Sequence, residues 1–221
     1  MNPFVNIHTH KNHIDNKEFI EIKNIDVDNS VNVDVPFFYS VGIHPWDIKS
    51  LNLSALSDLT HHIKKTNCLA IGECGLDRVC NSDFETQKHY FIKQIEIAEE
   101  YHKPLIIHSV KTHSDIIAIR KETKAKMPWI IHGFQGNEQT VMQLLRQDGI
   151  YISLGDVLFK NETRAIQLLK IIPLERMFLE TDDSERNIID VYEKASVLSG
   201  ISLYDLRSDI FNNFVKIFGN I

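Results

Sequence analysis

Short apolar runs, each stopping at glycine, histidine or a carboxylate and most followed by a helical stretch, recur along this chain. That alternation constrains the fold more than any other feature of the sequence. Phe4-Val5-Asn6-Ile7 stops at His8-Thr9-His10, and Phe37-Phe38-Tyr39-Ser40-Val41 stops at Gly42-Ile43-His44-Pro45-Trp46. Cys68-Leu69-Ala70-Ile71 runs into Gly72-Glu73-Cys74-Gly75-Leu76-Asp77, and Leu105-Ile106-Ile107 into His108-Ser109. Trp129-Ile130-Ile131 ends at His132-Gly133, Ile150-Tyr151-Ile152-Ser153-Leu154 at Gly155, and Met177-Phe178-Leu179 at Glu180-Thr181-Asp182. Helical spacing of apolar residues marks 53–65, 84–102, 114–124, 138–147 and 163–171, with a largely helical C-terminal stretch interrupted at Gly200. Ser54 is a candidate N-cap for the first of these, and Ser82 or Asp83 for the second.

Strand, polar tip and helix in repetition is the signature of an α/β fold with a parallel sheet. Seven or eight such strands favour a closed (β/α) barrel of TIM type, in which chemistry gathers at the carboxyl ends of the strands. One unit departs from the pattern. Phe19-Ile20-Glu21-Ile22 alternates like a strand, yet it follows the first strand after only about ten residues, whereas a parallel crossover takes a dozen or more. The expectation is a hairpin-like or irregular excursion there, and hence a compact barrel with a shortened or irregular second β/α unit. The acidic segment 26–34 reads as exposed loop.

At 221 residues the chain suits one domain spanning 1–221, with a core that needs no staples. Three cysteines, Cys68, Cys74 and Cys80, lack paired spacing and suit a reducing compartment rather than a disulfide framework. The start carries no signal-peptide pattern and no apolar run reaches a membrane span, so the expected location is cytoplasmic. The formal net charge of −6 argues against a protein that coats duplex DNA, without excluding an enzyme that meets nucleic-acid ends. A monomer is expected.

Glu73 sits between glycines at the end of a buried-looking strand. An ionised carboxylate there needs a cation or a dense hydrogen-bond shell. The other strand tips supply matching donors in His8, His10, His108, His132 and Asp182, with His8 and His10 on one face of an extended segment. His61, His62, His89 and His102 fall on helices and read as surface or groove-edge residues. Imidazoles with carboxylates suit zinc or manganese. Six donors exceed one tetrahedral ion, and a carboxylate such as Glu73 can bridge two. Two divalent ions (Mg, Mn or Zn) about 3.5–4 Å apart activate water for hydrolysis. Esters of phosphoric acid, carboxylic esters and amides are the substrates of such a centre.

In order along the chain, His8-Thr9-His10, Gly42-Ile43-His44-Pro45, Ala70 to Asp77, Ile107-His108-Ser109, His132-Gly133-Phe134-Gln135-Gly136 and Leu179-Glu180-Thr181-Asp182 resemble the TatD family. These are metal-dependent hydrolases, the TatD-related deoxyribonucleases, of the amidohydrolase-like TIM-barrel group. The resemblance covers nearly the whole chain. It implies that His8, His10 and Asp182 hold one ion, that His108 and His132 hold a second, and that Glu73 bridges them. It further implies that Asp182 accepts the proton of the attacking water and that His44 faces the substrate phosphate, giving Asp182, Glu73 and His44 catalytic roles. DNA ends or short oligonucleotides are the implied substrate, trimmed in the 3′-5′ direction. The span between His10 and Gly42 is shorter than is usual in the family. Asp183-Ser184-Glu185-Arg186-Asn187 replaces the customary segment after Asp182, and Val110-Lys111 displaces a customary basic residue. Phe134, Trp46 and Lys111 are candidates to stack on a base or meet a phosphate. The alternatives are hydrolysis of a small ester or amide at the same centre, or a metal-binding interaction module without activity.

Overall fold

The computed structural model describes residues 1–11, 17–27 and 35–219. Eight strands, β1 (Phe4–Thr9), β2 (Phe19–Asp26), β3 (Tyr39–Gly42), β4 (Cys68–Asp77), β5 (Leu105–Val110), β6 (Trp129–Ile131), β7 (Ile150–Leu154) and β8 (Met177–Leu179), form one sheet in sequential order. Thr9 at the end of β1 meets Asp182 just beyond β8 in a parallel bridge, so the last strand returns to the first. The helices are α1 (Ala55–Ile63), α2 (Phe84–Tyr101), α3 (His113–Thr123), α4 (Glu138–Leu145), α5 (Val157–Lys160), α6 (Glu162–Ile171), α7 (Ile188–Ser199) and α8 (Leu203–Phe218). This is the expected (β/α) barrel of TIM type.

The second unit is irregular, but it is not a hairpin. β2 pairs with β3 in parallel, Lys23 opposite Tyr39 through Asp26 opposite Gly42, so Phe19–Asp26 is a full member of the sheet. Residues 12–16, which connect it to β1, and most of the predicted acidic loop, 28–34, lie outside the described residues.

The chain divides into two compact units, residues 23–130 and residues 1–22 with 131–221. In the first, β4 is buried along all ten residues and packs against β3, β5 and α2. Asp83 caps α2 by accepting from the Thr86 amide, and His102 closes it in the left-handed region at φ 53° before Pro104. Two buried glutamines of α2 clamp the strand tips. The Ile43 amide donates to Gln94 Oε1 at 2.7 Å while Gln94 Nε2 donates to the Ile43 carbonyl at 3.1 Å. Gln87 does the same for Asp77, at 2.8 Å and 3.0 Å. Gly75 is required where β4 meets β5: its φ is +141°, and a Cβ there would lie 2.1 Å from the His108 carbonyl oxygen. Ser54 does not cap α1, because its side chain makes no cap bond. His62 is also not on the surface. It is 2% exposed, lying with Leu59 and Ile63 on the face of α1 that enters the core, while His61 is exposed.

In the second unit α7 and α8 pack on β1. Asn187 and Asp190 form a capping box at the start of α7, and Gly200 ends it at φ 75°. The buried Tyr192 hydroxyl of α7 accepts from the Val5 amide and donates to the Val5 carbonyl, both at 3.1 Å. Asn213 of α8 donates to the carbonyls of Leu174 at 2.6 Å and Met177 at 2.9 Å, fixing the entry to β8. The short helix α5 after β7 was not anticipated. Among the described residues no helix is long and apolar enough to cross a membrane.

Tyr192→Phe strands both Val5 backbone groups in the core, so urea unfolding is expected to show a loss of about 1–3 kcal/mol with an unchanged m-value. Burial, with the nearby Lys65 charge, lowers the pKa of His62 below 6.5. The unfolded chain then takes up a proton that the folded chain refuses. The contribution of His62 is present above pH about 6.5 and is lost as pH falls through that value. A His62→Leu variant is expected to show a flatter stability profile between pH about 7.5 and 5.5 than the parent, read by urea melts across that range.

Candidate metal centre

The unit of residues 1–22 and 131–221 gathers four of the six expected ligands. β1 delivers His8, which is 0% exposed, and the exposed His10. Thr9 between them points the other way, where its hydroxyl meets that of Thr181 at 3.0 Å. His132 follows β6, and Asp182 follows β8. The ring of His8 lies 4.9 Å from that of His10 and 4.4 Å from that of His132. Donor atoms of His8, His132 and Asp182 all fall within 4.8 Å of one another, as do those of His10, Asp182 and Asp183.

The spacing inside this cluster suits an ion better than direct contact. His8 Nε2 and His10 Nε2 each stand 3.6 Å from the same oxygen, Asp182 Oδ1, which is beyond good hydrogen-bonding distance. Two ligands of one ion at about 2.1 Å in tetrahedral geometry are separated by about 3.4 Å. A second observation agrees. Glu180 is fully buried, accepts from the Gly133 amide at 2.5 Å, and carries an Oε2 that meets no hydrogen-bond partner among the described residues. A buried carboxylate in that state calls for positive charge nearby.

The backbone holds the cluster in place. The Asp182 amide donates to the His8 carbonyl at 3.1 Å, and the His10 amide donates to the Asp182 carbonyl at 3.3 Å. Asn6 Nδ2 donates to Thr181 Oγ1 at 2.9 Å, and the Thr181 amide returns to Asn6 Oδ1 at 3.0 Å. Together these bonds frame Asp182 in the left-handed region, φ 52°, a conformation uncommon for residues other than glycine.

The unit of residues 23–130 holds a second donor group: His44, Glu73 and His108. Its geometry differs. His108 Nδ1 lies 2.7 Å from Glu73 Oε1, a direct hydrogen bond, and His44 Nε2 lies 3.2 Å from the same oxygen. The far nitrogen of His108, Nε2, meets Asp77 Oδ2 at 3.2 Å. A divalent ion held by Glu73 would have to replace one of these imidazole contacts. The Glu73 amide is fixed by Asn24 Oδ1 at 2.7 Å.

Asp77 closes the Ala70 to Asp77 stretch, and nothing in the sequence alone marks it as a site residue. It is 2% exposed, and its Oδ1 accepts from the Val79 amide at 2.7 Å while Oδ2 accepts from Trp46 Nε1 at 2.7 Å. Burial pushes its pKa up, but the bonds from Trp46, Val79 and His108 outweigh burial and hold the carboxyl below its usual range. Glu180, Asp183 and Asn24 were missed as well. Glu180 lies within the Leu179-Glu180-Thr181-Asp182 stretch and Asp183 follows it, so adjacency to Asp182 is the signal the sequence offers for both. Phe134 is 1% exposed, with its ring against Gly136, so it packs the core and offers no face to a base. Lys111 is exposed at φ 55°.

Adding Mn²⁺ or Zn²⁺ to metal-stripped protein is expected to raise the melting point reversibly with chelator, equivalent to about 2.7 kcal/mol at a hundredfold excess over Kd. Asp182→Ala is expected to weaken ion binding measured by calorimetry. Unchanged binding in that variant would remove Asp182 from the ligand set.

Comparison with known proteins identifies the family. Residues 26–219 match the sequence model of the TatD-related DNase family. An uncharacterized metal-dependent hydrolase of Buchnera aphidicola is 31% identical over 238 residues, covering 95% of this chain and 89% of that protein. A protein of Cronobacter sakazakii named as the 3′-5′ ssDNA/RNA exonuclease TatD is 31% identical over 150 residues, 65% of this chain and 56% of its own. The crystal structure of the Escherichia coli K12 TatD homologue YJJV superposes with a TM-score of 0.84 at 19% identity, covering 99% of this chain and 98% of that one. The fold, the ordered strand-tip donors and a family match over most of the length lead to one conclusion: the chain belongs to the TatD-related DNase family of metal-dependent hydrolases.

Proposed function

We propose that this chain is a deoxyribonuclease that trims single-stranded DNA from its 3′ end, using divalent ions held by His8, His10, Glu73, His108, His132 and Asp182. The observation that carries the reading is the convergence of His8 and His10 on one oxygen of Asp182 at 3.6 Å, a ligand spacing rather than a contact. The exonuclease name borne by the Cronobacter relative supports the substrate class and polarity. Bound divalent ions supply an activated water and charge stabilisation for the phosphodiester.

The chain's own groups do the rest. Asp182 is half exposed and held by two main-chain bonds, so its carboxylate is available to take the proton of the attacking water. His44 is partly exposed beside Glu73 and is the imidazole suited to meet a phosphate oxygen. A net charge of −6 provides little general attraction for polyanions, which favours short single-stranded ends over long duplex. The same charge supports a second reading, a small ester or amide as substrate.

A time course on 3′- and 5′-labelled single-stranded DNA with Mg²⁺ or Mn²⁺ separates the two. Stepwise shortening from the 3′ end is expected, abolished by chelator and by Glu73→Ala. Asp182→Asn is expected to lower kcat by about 10²–10⁴-fold, the usual contribution of a general base. Metal-loaded protein that leaves oligonucleotides intact but turns over esters or amides would give the second reading.

A further inference from the structure

Trp46 is 63% exposed, an unusual degree for so large an apolar side chain, and yet it is not loose. Its indole N–H is spent on Asp77 Oδ2 at 2.7 Å, and its amide donates to His44 Nδ1 at 3.3 Å. Asp77 is itself immobilised by the Val79 amide and, through its backbone, by Gln87. The indole ring stands 5.3 Å from the His44 ring and 6.3 Å from the His108 ring, steeply inclined to both. Those imidazoles touch its surroundings edge-on and do not cover it. The residue that follows Pro45 is thus an open aromatic surface, anchored by one edge next to the donors Glu73 and His108.

We infer that Trp46 is the stacking platform for a nucleobase of the bound single strand, and so a specificity-determining residue for base-bearing substrates. This deepens the deoxyribonuclease reading and rests on it. An edge-anchored indole loses little freedom when a base lands on it, and stacking tolerates every base because each has a π-face. Of the three sequence candidates for this role, Phe134 is buried and Lys111 has no ring. Arg78, which follows Asp77, is held by Asp115 at 2.9 Å and 3.0 Å and lies over Phe84.

The chain has two tryptophans, and the other, Trp129, is fully buried beneath the Arg120 guanidinium. Emission quenched by a ligand therefore reports Trp46. The test titrates phosphorothioate-linked tetrathymidylate, and an abasic tetramer of the same backbone, into the Mg²⁺-loaded protein. Quenching by the first only, with affinity for the abasic tetramer about 5- to 150-fold weaker by calorimetry, is expected. Equal affinity for the two tetramers would overturn the proposal.

Two variants separate stacking from mere support of Asp77. Trp46→Phe keeps a ring and loses the N–H, while Trp46→Gln keeps a donor and loses the ring. Stacking predicts near-parental calorimetric affinity for Trp46→Phe and abasic-like affinity for Trp46→Gln. The reverse order would make Trp46 a positioning residue and overturn the inference. Failure of the parent reading looks different: wild-type protein would leave unmodified tetrathymidylate uncleaved, whatever the ranking of the variants.

Discussion

Two main-chain hydrogen bonds, from Asp182 to the His8 carbonyl and from His10 to the Asp182 carbonyl, are the constraint on which the metal-ligand geometry of residues 1–22 and 131–221 depends. They join the strand ends that the chain reaches first and last. They also place a β1 imidazole on either side of one carboxylate. Asn6, Thr9 and Thr181 form a buried polar lattice behind them, so the tip is fixed before any ligand arrives. Those contacts brace the left-handed backbone at Asp182. Side-chain ligands mounted this way need little reorganisation to receive an ion.

A different device orders the tips within residues 23–130. There two glutamines of α2 reach into the core and take both backbone groups of Ile43 and Asp77. Buried amides are costly unless satisfied, and these are satisfied by the main chain just beyond β3 and at the end of β4. Asp77 then becomes a hub joining Trp46, His108 and the 79–80 turn. Glu73 and His108 bond directly, unlike His8, His10 and Asp182. The candidate ligands there are paired with one another, whereas His8 and His10 stand 3.6 Å from Asp182 Oδ1.

The barrel was legible because its signal is periodic and repeated: apolar runs, polar tips, amphipathic helices. The candidate ligand residues stand out in the sequence because each follows such a run. What escaped notice depends on contacts remote in sequence. Gln87 and Gln94 are ordinary polar residues on a helix until their partners at β3 and β4 are known. His62 looks like a surface histidine because its neighbour His61 is one, and only the rotation of α1 sends it inward. The hairpin alternative for β2 rested on connection length, and pairing with β3 overrode it. Phe134, placed beside a histidine tip, looked like a contact surface, but Gly136 leaves room for its ring to fold inward.

The balance of charge narrows how such a protein can hold a nucleic acid. With a net charge of −6 and Arg78 committed to Asp115, the chain offers no net positive field to a phosphate backbone. Binding by counterion release scales with the number of phosphates neutralised, so that route contributes little here. In the proposed deoxyribonuclease reading, metal ligation of the reacting phosphate and a base stacked on Trp46 are the two attractions that matter most. Both act at one nucleotide rather than along a strand. A site that draws its affinity from a single nucleotide favours chain ends, where the base is free to leave its neighbours, over the interior of a duplex, where unstacking must first be overcome.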